Sequence, residues 1–156
     1  MIKIRTGTKS DLPFVLDLIK ELADYEKALS EVTISLKQLE KDGFGEKSVF
    51  SFIVAEKNKE IIGMALYYIK YSTWKGKCLF LEDLIVNKKH RRSGVGGKLF
   101  EAIINTAKKT NMKRVMWQVL DWNQPAINFY KKYNAQLSNN WLDGKLIQSQ
   151  IDSHQL

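Results

Sequence analysis

The stretch Arg91-Arg92-Ser93-Gly94-Val95-Gly96-Gly97-Lys98 sets two guanidinium groups and three glycines between an apolar run, 78–86, and an amphipathic run, 99–109. A strand-to-helix turn of this kind aims backbone N–H groups and the positive end of a helix dipole at one point, which favours an anion such as phosphate. Glycines at 94, 96 and 97 let a ligand approach the backbone closely. No Gly-Lys-Ser/Thr closes the stretch, so it is not a Walker loop. Gly97 follows Gly96 directly, which departs from the dinucleotide-binding spacing. Inside the apolar run stand two carboxylates, Glu82 and Asp83. Alternation along a strand sends neighbours to opposite faces, so in a sheet covered on both sides at least one carboxylate lies near the core. A charge there is costly, and its pKa rises. The same pattern also fits a strand end that reaches solvent, or a structural pairing with Lys or Arg. Tyr130 is a further candidate, on one helical face with Ala126 and Ile127. A tyrosine so placed is either core with its hydroxyl at the rim or a proton donor in a cleft.

The elements that must position these groups follow from periodicity. A short strand is expected at 2–5. Ser10 reads as the cap of a helix that runs to about residue 27, and Ser35 as the cap of a second that stops at Gly43. Runs 49–56 and 61–70 are rich in β-branched and aromatic residues and flank Lys57-Asn58-Lys59-Glu60, a hairpin pattern. A third strand is expected at 77–86, then the glycine turn, a helix to about 110 and a strand at 114–120. Asn123 reads as the cap of a helix over 124–133, with Pro125 in its first turn. Asp143-Gly144, between 137–142 and 145–151, carries a two-residue hairpin signal. The order is β-α-α-β-β-β-α-β-α-β-β. It predicts an α/β (α+β) fold, a mixed, mostly antiparallel sheet flanked by helices.

At 156 residues the chain reads as a single domain over 1–156. One cysteine excludes an internal disulfide. No apolar run reaches membrane-spanning length and the first residues do not read as a signal peptide, so a cytoplasmic protein without a membrane partner is expected. The net charge of +8 is uneven. Residues 1–46 hold seven Lys/Arg and nine Asp/Glu, a balance of −2; the rest hold eighteen and eight, a balance of +10. That split suggests an anion held by the later part and a cation met by the earlier one, although most single charges are solvated faces. No metal-ligand constellation is present. His90 reads as part of the basic turn and His154 as part of a tail.

Together these residues resemble the GNAT superfamily of N-acetyltransferases, whose acyl-CoA signature Arg91-x-x-Gly94-x-Gly96 follows. The resemblance is closer to the diamine (spermidine/spermine) acetyltransferase subgroup, including its thialysine N-epsilon-acetyltransferase branch. It is carried by Leu18-Ile19-Lys20-Glu21-Leu22-Ala23-Asp24-Tyr25-Glu26, Asp42-Gly43-Phe44-Gly45, Tyr67-Tyr68, Tyr71-Ser72-Thr73-Trp74-Lys75-Gly76-Lys77, Leu81-Glu82-Asp83 and Leu120-Asp121-Trp122-Asn123-Gln124 through Phe129-Tyr130. The chain departs from the pattern after Tyr130, with Asn134 where a glycine usually closes the helix. Asn also tolerates the left-handed conformation.

The resemblance implies acetyl transfer from acetyl-CoA to a primary amine of a small cationic acceptor, without a metal, in a homodimer. It implies that Arg91, Arg92, Ser93, Gly94, Val95, Gly96, Gly97 and Lys98 hold the diphosphate, and that Leu84, Ile85 and Val86 pair with the pantetheine amides. Glu82 is then the base, Tyr130 the acid for the leaving thiolate, and Asn123 orients the cofactor. Tyr25, Glu26, Trp74, Glu82 and Asp83 receive the acceptor. Each acceptor residue also fits a bland role, such as packing or a solvated helix end. An acyl intermediate on Cys78 is disfavoured, since no histidine neighbours it in sequence. One rival is a protein or peptide acetyltransferase of the same fold. Another is a basic nucleic-acid module using Lys88-Lys89-His90-Arg91-Arg92. It falls behind because no aromatic-interleaved strand or helix-turn-helix accompanies the cluster, so no nucleic-acid partner is expected.

Overall fold

β-branched and aromatic runs become strands, and the two faces of each strand are sorted by alternation. The computed structural model describes residues 1–154. Among these the sheet has the order β1 (Ile2–Thr6), β2 (Ser51–Lys57), β3 (Glu60–Ser72), β4 (Gly76–Val86), β5 (Val115–Met116). The first three pairings are antiparallel and β4–β5 is parallel. The mixed, mostly antiparallel sheet expected from the sequence is present. The chain divides into two compact units, Met1–Gln118 and Val119–Leu156.

In the first unit, α1 (Leu12–Tyr25) and α2 (Leu36–Phe44) cover one sheet face. Leu12, Val15, Leu18 and Leu39 pack there with Phe52, Val54, Met64, Leu66 and Ile85. α3 (Val95–Lys109) buries Val95, Leu99, Phe100 and Ile103 at helical spacing. It covers the other face, where a Cβ on Gly63 would meet Leu99 Cδ1 at 3.2 Å and Ile85 O at 2.8 Å. Gly63 is therefore a point of close helix–sheet approach that a larger residue would push apart.

Local signals set the ends of these elements. Ser35 Oγ accepts from Gln38 N at 3.1 Å and caps α2 as expected. Asn58 and Lys59 both take positive φ (52° and 69°) between β2 and β3, the two-residue turn whose twist suits a hairpin. The start of α1 differs from expectation: Lys9–Asp11 forms a tight 3-10 turn and α1 begins one residue later. The reason is Asp11. Its carboxylate accepts from Thr8 N (2.8 Å) and from Arg5 Nη1 and Nη2 (2.7 and 2.9 Å), while Arg5 Nε reaches Glu56 at 2.8 Å.

The second unit holds α4 (Gln124–Lys131) and α5 (Gln148–Asp152). Asn123 Oδ1 accepts from Ala126 N at 3.3 Å and caps α4. Asn134 closes the helix end with φ 56°, the left-handed conformation expected of it. Two expectations fail. The strand foreseen at 114–120 shrinks to two residues, and the hairpin around Asp143-Gly144 does not form: 135–147 is irregular, and 148–152 is helical. The turn signal is local, whereas a strand needs a partner to satisfy its backbone. Leu142 and Trp141 stay exposed instead.

Arg5 holds the nearly buried Asp11 carboxyl down at about 2, with burial opposing and the Thr8 contacts assisting. A lowered carboxylate contributes stability that is present above the ordinary carboxylate range and lost as pH falls toward 2. Asp11→Asn is expected to cost about 2 kcal/mol at neutral pH, from a shift of this size. In urea unfolding, the gap to wild type should narrow steadily below about pH 4.

Candidate active site

Two places on β4 gather the residues foreseen for chemistry. The first is a register shift. Leu66 pairs with Asp83 and Tyr67 with Leu81, so Glu82 is an extra residue opposite no partner on β3. Such a bulge breaks strict alternation and re-aims side chains. Asp83 lies opposite Leu66, on the face that carries α1. Tyr68 lies in the same row of β3, and its phenol is hydrogen-bonded to Glu82 and raised in pKa by burial first and by Glu82 next. Both carboxylates thus address the α1 face, which corrects the expectation that they part to opposite faces.

The end of α1 adds a third acid. Glu26 caps the helix C-terminus, and burial raises its pKa. Asp83 is pushed up to about 6, by burial first, then by the charges of Glu82 and Glu26. Three acidic side chains therefore share one pocket of field that favours a cation or a shared proton.

The second place is the glycine turn. Lys88–His90 is a 3-10 turn capped by Asn87, whose Oδ1 accepts from Lys89 N at 3.1 Å. Arg92 and Gly94 take left-handed φ (61° and 79°), which swings the chain into α3. Gly94 would meet nothing within 4 Å if it carried a Cβ, so conformation, not space, is what requires glycine there. Gly96 and Gly97 lie in the first helical turn, where amides lack intrahelical acceptors. The Lys98 amide is already taken by Gly94 O at 3.2 Å, which leaves its exposed side chain as the free donor. No acidic residue stands in that first turn. Ser93 Oγ donates to His90 O.

Between the two places runs an open edge. β5 pairs with β4 only at Leu79 and Phe80. From Leu81 to Val86 the β4 edge away from β3 has no strand partner among the described residues, so Leu84, Ile85 and Val86 border a backbone edge able to pair with amides. Val86 O already accepts from Arg91 Nε at 2.9 Å.

The other candidates are placed as follows. Tyr25 lies with its ring 5.2 Å from the Arg91 guanidinium, a cation–π contact, and so faces the basic turn. Trp74 is 78% exposed at the β3–β4 tip, separated from Glu82 by six strand steps, about 20 Å at strand rise. It is not brought to the carboxylates. In the second unit Asn123 and Tyr130 are both buried, with the Tyr130 ring edge-on to Phe129 at 5.1 Å. Sequence reasoning missed Tyr68 and Glu21. Glu21 accepts from Asn87 Nδ2 (2.8 Å), Lys88 N (2.7 Å) and Arg91 Nη2 (3.3 Å). Its position one helical turn before Tyr25 was the available signal; Tyr68 had none, since its contact depends on the bulge.

A mixed sheet with a bulged central strand that leads through a basic glycine turn into a helix defines an acyltransferase scaffold of the acetyltransferase type. Residues 15–135 match the acetyltransferase (GNAT) family. The chain is 37% identical over 143 residues to a thialysine N-epsilon-acetyltransferase of Bos taurus, covering 86% of this chain and 84% of that one. It is 34% identical over 140 residues to a spermidine/spermine N(1)-acetyltransferase-like protein of Homo sapiens, covering 85% of this chain and 20% of that one. The fold is shared with an aminoglycoside acetyltransferase from an uncultured soil metagenomic sample at a TM-score of 0.78, with 21% identity, 94% of this chain and 97% of that one covered. The chain belongs to the GNAT acetyltransferase family, and within it to the subgroup of thialysine and spermidine/spermine acetyltransferases. It is an N-acetyltransferase.

The raised Asp83 carboxyl has a consequence for stability. A group raised in the folded state stabilises the fold below the unfolded carboxylate range, and that contribution is lost as pH rises through about 6. Asp83→Asn is expected to raise the melting temperature by a few degrees near pH 8 and to leave it unchanged near pH 3. Calorimetry at both pH values checks this; equal shifts at both would remove the repulsion account.

Proposed function

We propose that the enzyme moves acetyl from acetyl-CoA to the primary amine of a small cationic acceptor (a polyamine, a diamine or a thialysine-like amino acid) by direct attack in a ternary complex, with residues 1–156 acting as one domain. The observation that carries this reading is the pairing, along one strand, of an anion-seeking turn after Val86 with an acidic cluster at the Glu82 bulge. The names of the relatives support the acceptor class.

The residues present fit the cosubstrate. Arg91, Arg92, Ser93, the Lys98 side chain and the amides of 94–97 would hold the diphosphate, and the edge at Leu84, Ile85 and Val86 would pair with the pantetheine amides. When bound, acetyl-CoA supplies an activated thioester. The acceptor arrives as an ammonium with a pKa near ~10.4 and must lose a proton before it attacks. Glu26 and Asp83 would attract and seat the cation. Glu82 receives the proton, through a water, with Tyr68 holding its carboxylate. A backbone N–H near 82–84 would stabilise the negative charge that develops on the thioester oxygen. As the new N–C bond forms and the C–S bond breaks, Tyr130 would give its proton to the departing thiolate and regain one from the acetylated nitrogen, while Asn123 would orient that end of the cosubstrate. A homodimer in the cytoplasm completes the reading. The exposed Trp141, Leu142 and Leu146 support a partner that covers apolar surface.

An acetyl-CoA-dependent screen of spermidine, spermine, thialysine, lysine and short diamines is expected to give turnover on at least one free amine. Glu82→Gln and Tyr130→Phe should each lower kcat by roughly 10²-fold or more, with CoA affinity by calorimetry nearly unchanged. Modification of peptides with no free amine accepted would overturn the small-acceptor assignment, and unchanged turnover in Tyr130→Phe would remove the proton donor.

A further inference from the structure

Glu21 lies in neither the carboxylate cluster nor the anion-seeking turn, yet three donors from the segment that joins them converge on it. Lys88 N donates to its Oε1 at 2.7 Å, Asn87 Nδ2 to its Oε2 at 2.8 Å, and Arg91 Nη2 to its Oε1 at 3.3 Å. One turn further along α1, Tyr25 lies against the Arg91 guanidinium, whose Nε donates to Val86 O. The chain from Val86 to Arg91 is thereby tied to α1 by one carboxylate. The two short contacts go to Asn87 and to the Lys88 backbone; the contact to Arg91 is the longest. Glu21 therefore acts chiefly on the path of the chain, not on the guanidinium charge. Arg91 keeps N–H donors beyond the two it spends here, so it remains able to meet an anion.

We propose that Glu21 is a positioning residue for the cosubstrate turn. It fixes residues 87–91 against α1 so that Arg91 and the amides of 94–97 are arranged before the diphosphate arrives. The inference rests on the reading that this turn holds acetyl-CoA, and it extends that reading to a residue on a different element. Pre-arrangement of a binding loop acts on affinity, because ordering that has already occurred is not paid for on binding. It leaves the chemical step, at the Glu82 bulge further back along β4, untouched.

The test compares wild type, Glu21→Gln and Glu21→Ala. Amide exchange of Lys88 is measured without ligand, CoA affinity by calorimetry, and KM and kcat with acetyl-CoA and an accepted amine. Loss of charge-assisted hydrogen bonds is expected to raise the CoA Kd and the acetyl-CoA KM about tenfold in Glu21→Ala. Glu21→Gln, which keeps the length and one acceptor, should fall between. Lys88 exchange should quicken in the same order, with kcat and the amine KM within about twofold of wild type. A merely structural role would lower folded content without this split between KM and kcat. Tighter CoA binding in the variants would show that Glu21 competes for Arg91 and would overturn the proposal. So would unchanged affinity in both variants. Absence of CoA uptake by the wild type would instead overturn the reading of the turn itself, and the inference with it; Glu21→Gln carries the comparison if Glu21→Ala does not fold.

Discussion

One extra residue in β4 governs where the acidic groups point. In a regular ladder Glu82 and Asp83 would part to opposite faces, and one of them would meet α3. The register shift between Leu66 and Tyr67 removes that conflict by leaving Glu82 without a β3 partner and turning it toward Tyr68. Two like charges then sit side by side, with Glu26 closing on them from the end of α1. This arrangement works against folding at neutral pH, since burial and the neighbouring charges both oppose ionisation of Asp83. A protein keeps such a cost where a ligand of opposite charge relieves it, which is how the cluster and a cationic acceptor fit together under the proposed function.

The last two turns of α1 connect this cluster to the basic turn. Glu21 and Tyr25, four residues apart, share one stripe of the helix and face Arg91. Glu26, the next residue after Tyr25, faces Asp83. One rigid element thus sets the distance between the two ends of the open β4 edge. The charge split along the sequence also finds its place here: the acidic early segment supplies Glu21 and Glu26, and the basic later segment supplies the turn that Glu21 restrains.

What was legible in the sequence was what local chemistry decides. Ser35 as a cap, Asn58-Lys59 as a hairpin turn, the glycine turn into α3 and Asn134 as a helix end each depend on a few neighbouring residues, and each is found. What was not legible depends on partners far along the chain. The bulge is a mismatch between two strands and leaves no mark in either one. Asp143-Gly144 shows the converse: a turn signal is present, but 137–142 and 145–151 pair with nothing among the described residues. Tyr25 illustrates a third case. Its type and position suggested a cation partner, and it has one, but the cation is Arg91 of the same chain.

The comparisons separate what the scaffold determines from what the side chains determine. A TM-score of 0.78 at 21% identity means that the sheet, the covering helices and the strand-to-helix turn survive almost complete replacement of the sequence. The scaffold is therefore shared by chains of very different sequence. Under the proposed function, acceptor choice then lies in residues that the scaffold does not dictate. On this chain the residues that line the α1 face at the bulge are Glu26, Tyr68, Glu82 and Asp83, and all four lie in stretches matching the diamine subgroup, next to strictly structural neighbours such as Leu66, Leu81 and Ile85. Replacing those neighbours would disturb the core, whereas replacing the four would change the charge met by an incoming amine and leave the core packed. Under the proposed function, the groups that would meet the acceptor and the groups that hold the core are close neighbours on β3, β4 and the end of α1.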